Sequence, residues 1–277
     1  MVGGRQRPHG ETLAKHPHSL PVRTGRVTPG AQGVVRHSGA VPPPATAEAP
    51  RERVGHADAW FASPPASTAW RERLETLDAE ERRRLAAIVE PTTARAYAVL
   101  HLLARDVLGR LVGATPSGIE LDRTCTRCGG QHGAPRVVGH PHLHVSLSRT
   151  PDLVAVAVSV DASVGIDVER VAGTAFSGFD AVATHPSERS ADLDDHARAV
   201  SWVRKEAALK ALGVGFVVDP GTLTTPQPGR PGVILPGRPA VSVVDLALDD
   251  DGHVAALGLA AAYGEVRVTV HPAPDGR

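Results

Sequence analysis

Residues 165–169 read Gly-Ile-Asp-Val-Glu and lie in an apolar stretch rich in β-branched side chains that alternate with a period of two. This alternation predicts a strand at 164–168, preceded by another at 154–158. Successive side chains of a strand point to opposite faces, so Asp167 and Glu169 share one face. The stretch therefore predicts two carboxylates side by side on one strand.

A second stretch, residues 202–210, reads Trp-Val-Arg-Lys-Glu-Ala-Ala-Leu-Lys. Its apolar residues stand among good helix formers and Gly213 follows closely, which predicts a helix over about 196–212 that ends at this glycine. Lysine is scarce in the chain, with three lysines among 30 Lys and Arg residues, yet two of the three lie in this helix. The helix carries three charged side chains of interest, which are Lys205, Glu206 and Lys210.

Together the two stretches predict a site for a hard divalent cation. Mg²⁺ prefers carboxylates combined with waters and substrate phosphates, and Asp167, Glu169 and Glu206 supply three carboxylates. Lys205 and Lys210 would act as compact charges on those phosphates. The alternative is that the strand carboxylates form a solvated edge and that Glu206 and Lys210 are an ordinary i,i+4 surface pair.

The composition limits the kind of protein. With 277 residues, 42% of them hydrophobic, the chain can fill one large core or two small ones. A net charge of zero argues against a nucleic-acid binder. There is no apolar run of about 18 residues for a membrane span, and no apolar core of a signal peptide, so we expect a cytoplasmic protein.

Three regions are predicted along the chain. Residues 1–55 are rich in Pro, Gly, Arg and His without periodicity, which indicates a disordered leader. Residues 56–160 and 161–277 each contain a helix, short strands and a run of small and branched apolar residues. We therefore expect an α+β fold built as a pseudo-dimer of two similar halves, with a site at the seam. The strands at 153–160 and 164–168 are predicted to pair as a hairpin.

Cap residues predict two earlier helices. Asp78 supplies an N-cap for a helix through about residue 89, which Pro91 ends. Thr92 or Thr93 can cap the next helix. After the long helix, short strands are predicted at 222–224, 233–235, 241–247, 254–261 and 266–270.

Cys125 and Cys128 are spaced as C-x-x-C, and in a reducing compartment a structural disulfide is not expected. Zinc could bind through the two sulfurs and nearby imidazoles, which are His132 with His140, His142 or His144. The alternatives are a turn with free thiols or, for the protein as a whole, a zinc-binding interaction module built on this loop.

In combination these residues resemble a known family, the 4′-phosphopantetheinyl transferases of the larger, surfactin-synthetase-activating type. The resemblance rests on residues 165–169 and 202–210 and on their order and spacing. It is supported by the strand at 144–148, which reads His-Val-Ser-Leu-Ser, and by the loop at 125–136, which is similar to that of actinobacterial members. These stretches cover roughly residues 78–215.

The resemblance implies a pseudo-dimer that binds coenzyme A and Mg²⁺ between its halves, and such an internal duplication predicts a monomer. It implies metal binding by Asp167, Glu169 and Glu206. The side chains that it places on coenzyme A are Lys205, Lys210 and Ser146, on phosphates, and Arg105, on the adenosine phosphate region.

The activity that the resemblance implies is transfer of 4′-phosphopantetheine from coenzyme A to a serine of an apo acyl- or peptidyl-carrier protein. The serine hydroxyl attacks the β-phosphate, and adenosine 3′,5′-bisphosphate leaves. Glu206 or Glu169 would accept the serine proton, and Lys210 would stabilise the leaving phosphate. Carriers of fatty-acid, polyketide and nonribosomal-peptide biosynthesis present the same serine, so the sequence leaves the partner open.

Two positions depart from the family's pattern. Leu147 stands where the family usually has His and Ala134 where it often has Lys, and both missing groups would contact phosphates of coenzyme A. Strand alternation places Arg149 on the face of residue 147 and Arg136 on the face of residue 134, so we predict that these arginines replace the lost contacts. The alternative is a degenerate, noncatalytic member that binds coenzyme A or a carrier protein.

Overall fold

A computed structural model of the chain describes residues 53–190 and 193–274. The predicted leader lies outside these ranges as far as residue 52, while Val54 and Gly55 already belong to the first strand. Within the described ranges, no helix has both the length and the apolar character that crossing a bilayer requires.

The described chain forms nine strands and four α-helices. The strands are β1 Val54–Ala62, β2 Leu121–Asp122, β3 Arg136–Val137, β4 His144–Arg149, β5 Val154–Ser159, β6 Val164–Arg170, β7 Ser242–Leu246, β8 His253–Leu259 and β9 Glu265–His271. The helices are α1 Ala79–Ala87, α2 Pro91–Val112, α3 Phe179–Ala183 and α4 Asp195–Ala211. Short 3₁₀ turns connect several of these elements. The α+β class is therefore confirmed, while the pseudo-dimer stays a prediction.

The strands form two sheets. One has six strands in the order β2-β3-β4-β5-β1-β9, antiparallel except that β1 and β9 run parallel. The other has three antiparallel strands in the order β6-β8-β7. The C-terminal strand β9 thus completes the sheet that holds β1.

The predicted hairpin of β5 and β6 is wrong. β5 pairs with β4 and β1, whereas β6 pairs with β8, so the two strands belong to different sheets. Every residue of β5 is buried, so its sequence does not indicate which strands it pairs with. The short link between β5 and β6 carries the chain from one sheet to the other.

The alternation of Val and Ala in β5 explains how the layers stack. Val154, Val156 and Val158 face α2 in one core cluster, which also contains Leu100 and Leu108. Ala155 and Ala157 face the other way and pack with Val164, Ile166, Val168 and Leu257 of the three-stranded sheet. Ala199, Val203 and Ala207 of α4 cover the far face of that sheet against Val254 and Ala256. The result is four layers, in the order helix, sheet, sheet, helix.

Cap residues set the ends of the helices. Asp78 and Glu81 form a capping box at the start of α1, as the sequence predicts for Asp78. For α2 the N-cap is Glu90 rather than a threonine, because its carboxylate accepts hydrogen bonds from the backbone N–H groups of Thr92 and Thr93. Pro91 therefore begins α2 at the first helical position, where a missing N–H costs nothing.

Candidate active site

Helix α4 lies directly on strand β6 because residue 165 is glycine. A β-carbon at Gly165 would come within 2.0 Å of the Ala207 carbonyl oxygen and 2.5 Å of the Ala211 nitrogen. Gly165, Asp167 and Glu169 share one face of β6, so the carboxylates follow the glycine along the face that meets α4. The two sequence stretches that predict the site are thus brought together by this close approach.

Asp167 and Lys210 form the centre of this contact. Asp167 is buried, and its Oδ1 accepts hydrogen bonds from Lys210 Nζ at 2.7 Å and from Ser148 Oγ at 2.8 Å. Lys210 Nζ also donates to the carbonyl oxygens of Ile166 at 3.0 Å and Leu147 at 3.5 Å. One ammonium therefore connects α4 to strands of both sheets.

Two serines of β4 complete the junction. Ser146 Oγ accepts a hydrogen bond from the backbone N–H of Ile166 at 3.0 Å, and Ser148 Oγ accepts one from Val168 at 3.2 Å. Because β6 is an edge strand of its sheet, these N–H groups have no ladder partner there, and an unpaired buried N–H is costly. The two hydroxyls accept hydrogen bonds from these edge N–H groups and thereby fix the position of β4 against β6.

Glu206 is the most unusual carboxylate of the site. The residue is only 4% exposed. Its Oε1 has no hydrogen-bond partner within the described part of the chain. Burial and then the negative charge of Asp167 raise the pKa of Glu206 to about 7, although Lys210 acts in the opposite direction. A buried carboxylate oxygen without a partner is unfavourable, so this oxygen is suited to bind a cation.

Glu169 lies on the other side of Asp167. Its Oε1 accepts a hydrogen bond from the backbone N–H of Arg170 at 2.8 Å. Burial raises its pKa, and the charge of Asp167 adds to the effect. Asp167 is therefore the common neighbour of both glutamates.

This donor set fits Mg²⁺. Asp167, Glu169 and Glu206 offer only carboxylate oxygens, which Mg²⁺ prefers. Burial, reinforced by the charge of Asp167, raises both glutamate pKa values, and a cation would favour the ionised forms. In the described residues, the oxygens of the three carboxylates do not all lie within 4.8 Å of one another. Mg²⁺ commonly keeps several waters and takes only one or two carboxylates, so a more open arrangement is compatible with it.

A cavity of about 1090 Å³ opens beside Glu206 and Lys210. Its wall includes Ser146 and Leu147 of β4 and continues along the segment from Asp122 to Leu143. Several basic or titratable side chains line it, which are Arg127, His132, Arg136, His140 and His144. The cavity thus places a carboxylate and an ammonium of α4 opposite a wall that can carry positive charge.

Two arginines are predicted to replace lost contacts with coenzyme A phosphates. Of these, Arg136 lines the cavity. It is half-exposed and pairs with Asp122 at 2.6 Å. Arg149 does not line the cavity; its guanidinium lies over the ring of Tyr97, 5.8 Å from the centroid, on the α2 side of the sheet. Arg149 shares a face of β4 with Leu147, which lines the cavity, but lies against α2, so its replacement of a phosphate contact stays a prediction.

Arg105, which the resemblance places on coenzyme A, lies away from the cavity, and its coenzyme contact stays a prediction. Arg105 is 1% exposed and is absent from the residues that line the cavity. It donates hydrogen bonds to Glu81 at 2.7 Å, to Asp78 at 2.8 Å and to the Ile119 carbonyl at 2.8 Å. Two carboxylates of α1 and its cap therefore occupy the guanidinium, which joins α1 to α2.

Lys205 is likewise turned away from the cavity. It is fully buried, and its Nζ donates to the carbonyl oxygens of Ala183 at 2.9 Å and Pro220 at 3.3 Å and pairs with Glu188 at 3.3 Å. Adjacent helical residues point about 100° apart, so Lys205 and Glu206 leave α4 in different directions. In this structure Lys205 contacts the segments that flank α4, and its predicted phosphate contact stays a prediction.

Ser148 is a site residue that the sequence predictions leave out. The period-two pattern of the strand could have predicted it, since Ser148 shares a face with Ser146. In the structure its hydroxyl donates to the carboxylate of Asp167. Arg127, His140 and His144 are also missed as cavity residues, because their position depends on how the loop at 122–143 folds back.

A smaller cavity of about 490 Å³ lies along the outer side of α4. Its arginines are already paired, Arg198 with Asp180 at 2.9 Å and Arg204 with Asp245 at 2.6 Å. The cavity contains neither Glu206 nor Lys210, so we place the candidate site at the larger one.

Comparison with protein families gives one match. Residues 163–257 match the model of the 4′-phosphopantetheinyl transferase superfamily, a stretch that covers about a third of the chain. It contains Asp167, Glu169, Glu206 and Lys210, whereas the cavity wall before β6 lies outside it. No curated protein matches the chain. The match supports transfer of phosphopantetheine in general.

Proposed function

We propose that this protein transfers 4′-phosphopantetheine from coenzyme A to a serine hydroxyl of an apo acyl- or peptidyl-carrier protein. One observation carries the proposal. Glu206 and Lys210, which lie in the segment that matches the transferase superfamily, line the large cavity, and Glu206 presents a buried oxygen without a partner in the described residues.

The cavity suits coenzyme A in size and charge. Ligand pockets commonly measure about 300–1,000 Å³, and this one is slightly larger. Coenzyme A carries a pyrophosphate and a further phosphate, which require cationic partners. Lys210 on one side and Arg136 on the other supply such charges at the cavity.

Asp167, Glu169 and Glu206 are the residues that would hold Mg²⁺. Bound there, the ion supplies charge neutralisation at the pyrophosphate of the substrate. Without it, three carboxylates and one ammonium leave the site with excess negative charge, which would repel the phosphates.

The chain's own residues account for the movement of the proton. As the serine oxygen forms its bond to the β-phosphorus and the bond to the departing adenosine bisphosphate breaks, the serine hydroxyl proton passes to Glu206 or Glu169. In the metal-free protein the pKa of Glu206 is raised to about 7, and a bound cation would lower it and keep the carboxylate ionised, the form that accepts a proton. The Lys210 ammonium is placed to offset charge on the leaving phosphate.

A noncatalytic protein that binds coenzyme A or a carrier protein is the second candidate. Leu147 lines the cavity where the resemblance places a histidine, and Arg149 lies against Tyr97 instead of replacing it. Such a protein would retain the cavity while lacking a phosphate contact.

Intact-mass spectrometry separates the two candidates. Apo carrier proteins from fatty-acid, polyketide and nonribosomal-peptide systems are incubated with the protein, coenzyme A and Mg²⁺. We expect a mass gain of one phosphopantetheine arm, at least about 100-fold slower with Glu206→Gln, since loss of a general base costs about 10²–10⁴-fold. Glu265→Gln, an exposed glutamate of β9, is the matched control and should act as wild type.

Each negative result has a distinct meaning. No mass gain on any carrier, with coenzyme A binding retained in a titration, would favour the noncatalytic candidate. No mass gain and no coenzyme A binding would reject both.

A further inference from the structure

The loop between β2 and β3 gathers three side chains that bind soft metal ions. Cys125, Cys128 and His132 each place one ligand atom within 4.8 Å of the other two. The Cys128 Sγ lies 2.9 Å from the His132 Nε2. Within the described ranges no other group of three or more His, Cys, Asp or Glu residues has this spacing.

The backbone of the loop forms a closed turn at Cys125. Gly129 has a left-handed φ of +73°, and its N–H donates to the Cys125 carbonyl at 2.9 Å. The Cys125 N–H in turn donates to the Gly130 carbonyl at 2.7 Å. These two hydrogen bonds hold the turn that carries Cys125 and Cys128.

The base of the loop is fixed independently of the cysteines. The Gly133 N–H donates to the Arg123 carbonyl at 2.7 Å, and a β-carbon at Gly133 would lie 2.8 Å from the Thr124 carbonyl oxygen. Arg136 donates to Asp122 at 2.6 Å across the same base. The ligand cluster is thus held on a closed loop rather than on a free segment.

The chemistry of the three ligands selects zinc. Thiolates and imidazole suit Zn²⁺, whereas Mg²⁺ takes oxygen ligands, so this cluster and the carboxylates of α4 and β6 differ in the metal that they prefer. His140, His142 and His144, which the sequence offers as further ligands, do not belong to the cluster. Three protein ligands leave one position of a tetrahedral site to water or another small ligand.

We propose that Cys125, Cys128 and His132 bind a zinc ion that fixes the loop at 124–133 as a wall of the large cavity. Cys125 and His132 line that cavity, and Arg127 between them lines it as well. The ion would therefore hold a basic side chain in place at the cavity. Zinc binding itself does not depend on the transferase function.

Zinc content of the full chain tests the proposal. The protein is purified in buffers without chelator, dialysed against metal-free buffer and analysed by mass spectrometry for zinc per chain. We expect about one zinc per chain for wild type and at least about a tenfold lower content for the double variant Cys125→Ser, Cys128→Ser and for His132→Ala. His142→Ala, an exposed histidine outside the cluster, is the matched control and should retain the wild-type content.

A second measurement uses the wild-type protein alone, so it does not depend on whether the variants fold. A thiol reagent should modify Cys125 and Cys128 slowly until a strong chelator removes the zinc, and quickly afterwards. Wild-type protein that carries no zinc and whose thiols react at once would overturn the proposal. An intramolecular disulfide in freshly purified protein, seen as a loss of two hydrogens by intact mass, would overturn it too. Because neither measurement involves carrier proteins, its outcome is separate from that of the transferase assay.

Discussion

Gly165 of β6 lies against the backbone of Ala207 in α4, where a β-carbon would come within 2.0 Å of the Ala207 carbonyl oxygen. Backbone atoms cannot yield as a flexible side chain can, so any larger residue at 165 must separate the helix from the strand. That separation would act on the contact between Lys210 and Asp167, since those residues lie on the same helix and strand.

Gly165→Ala is therefore expected to destabilise the protein. Overpacking of a core costs about 1–3 kcal/mol, and contact with backbone places this site at the upper end or beyond. Chemical denaturation measures the change in unfolding free energy. Gly232→Ala is the control, because no atom lies within 4 Å of its β-carbon position. Both variants change the unfolded chain in the same way, so equal stabilities would contradict the prediction.

Glu206 should make stability depend on pH in metal-free protein. Its pKa is about 7 in the folded protein against 4.5 as the ordinary value, so the folded state keeps a proton that the unfolded chain releases between these values. The contribution of this group to the unfolding free energy is full below about pH 4.5 and is lost as the pH rises to about 7, by about 3 kcal/mol. Glu206→Gln should lack this loss.

The measurement is the difference in unfolding free energy between wild type and Glu206→Gln from pH 4.5 to 8, with a chelator present. Comparing the two proteins removes the contribution of other titrating groups. Excess Mg²⁺ should reduce the difference, because a cation stabilises the ionised carboxylate. Parallel pH curves for the two proteins would refute the unusual pKa.

Arg105→Ala should reduce stability rather than affinity for coenzyme A. Removing this guanidinium leaves Glu81 buried with less compensation, and breaking a buried ion pair costs about 3–5 kcal/mol. Arg123 also contacts Glu81, which places the expected loss at the lower end of that range. Denaturation and a coenzyme A titration are made on the same variant at a temperature where it is folded. Weaker coenzyme A binding with unchanged stability would restore the role implied by the family resemblance.

Arg136 and Arg149 are expected to differ in their effect on coenzyme A. Arg136→Ala should raise the KM for coenzyme A about tenfold, equal to about 1.4 kcal/mol, because it removes a cation from the cavity wall. Arg149→Ala should leave the KM close to that of wild type, since the side chain lies over Tyr97. Steady-state assays at saturating carrier protein measure both values. The reverse order of effects would show that Arg149 reaches the coenzyme.

The sequence predicts those parts of the fold whose signals are local. The helix expected at about 196–212 is observed as Asp195–Ala211, and the strand at 164–168 as Val164–Arg170. Both have strong periodicity and clear ends. Strand pairing is not local, which is why β5 and β6 are predicted to pair although each finds its partners far along the chain.

Strands are predicted poorly where the sequence pattern is weak. β1 is not predicted because its inward face is made of small residues, Ala57 and Ala59, which carry little hydrophobic signal. The strands expected at 222–224 and 233–235 are not strands; the first overlaps a 3₁₀ turn, Pro220–Thr222, in a region punctuated by Pro and Gly.

The residues of the candidate site also differ in how well the sequence predicts their contacts. Asp167, Glu206 and Lys210 come together because each sits on a strongly patterned element. The sequence does not predict the contacts that Lys205 makes, because they depend on the direction in which the side chain leaves the helix. It does not predict those of Arg105 either, because the partners Asp78 and Glu81 lie on another helix and its cap.

The parallel pairing of β1 and β9 has a consequence for how the protein is made. Asp58 of β1 contacts His271 of β9 at 2.6 Å across 213 residues, and Trp60 stacks on the same histidine. During translation β1 emerges from the ribosome long before β9. The two strands can pair fully only after residue 271 has emerged. Pairings over such separations form slowly, and an uncovered strand edge can capture another chain. Nascent chains that stop before Glu265 would therefore expose the edge of β1 that β9 covers in the folded chain, where β9 itself forms the edge of the sheet.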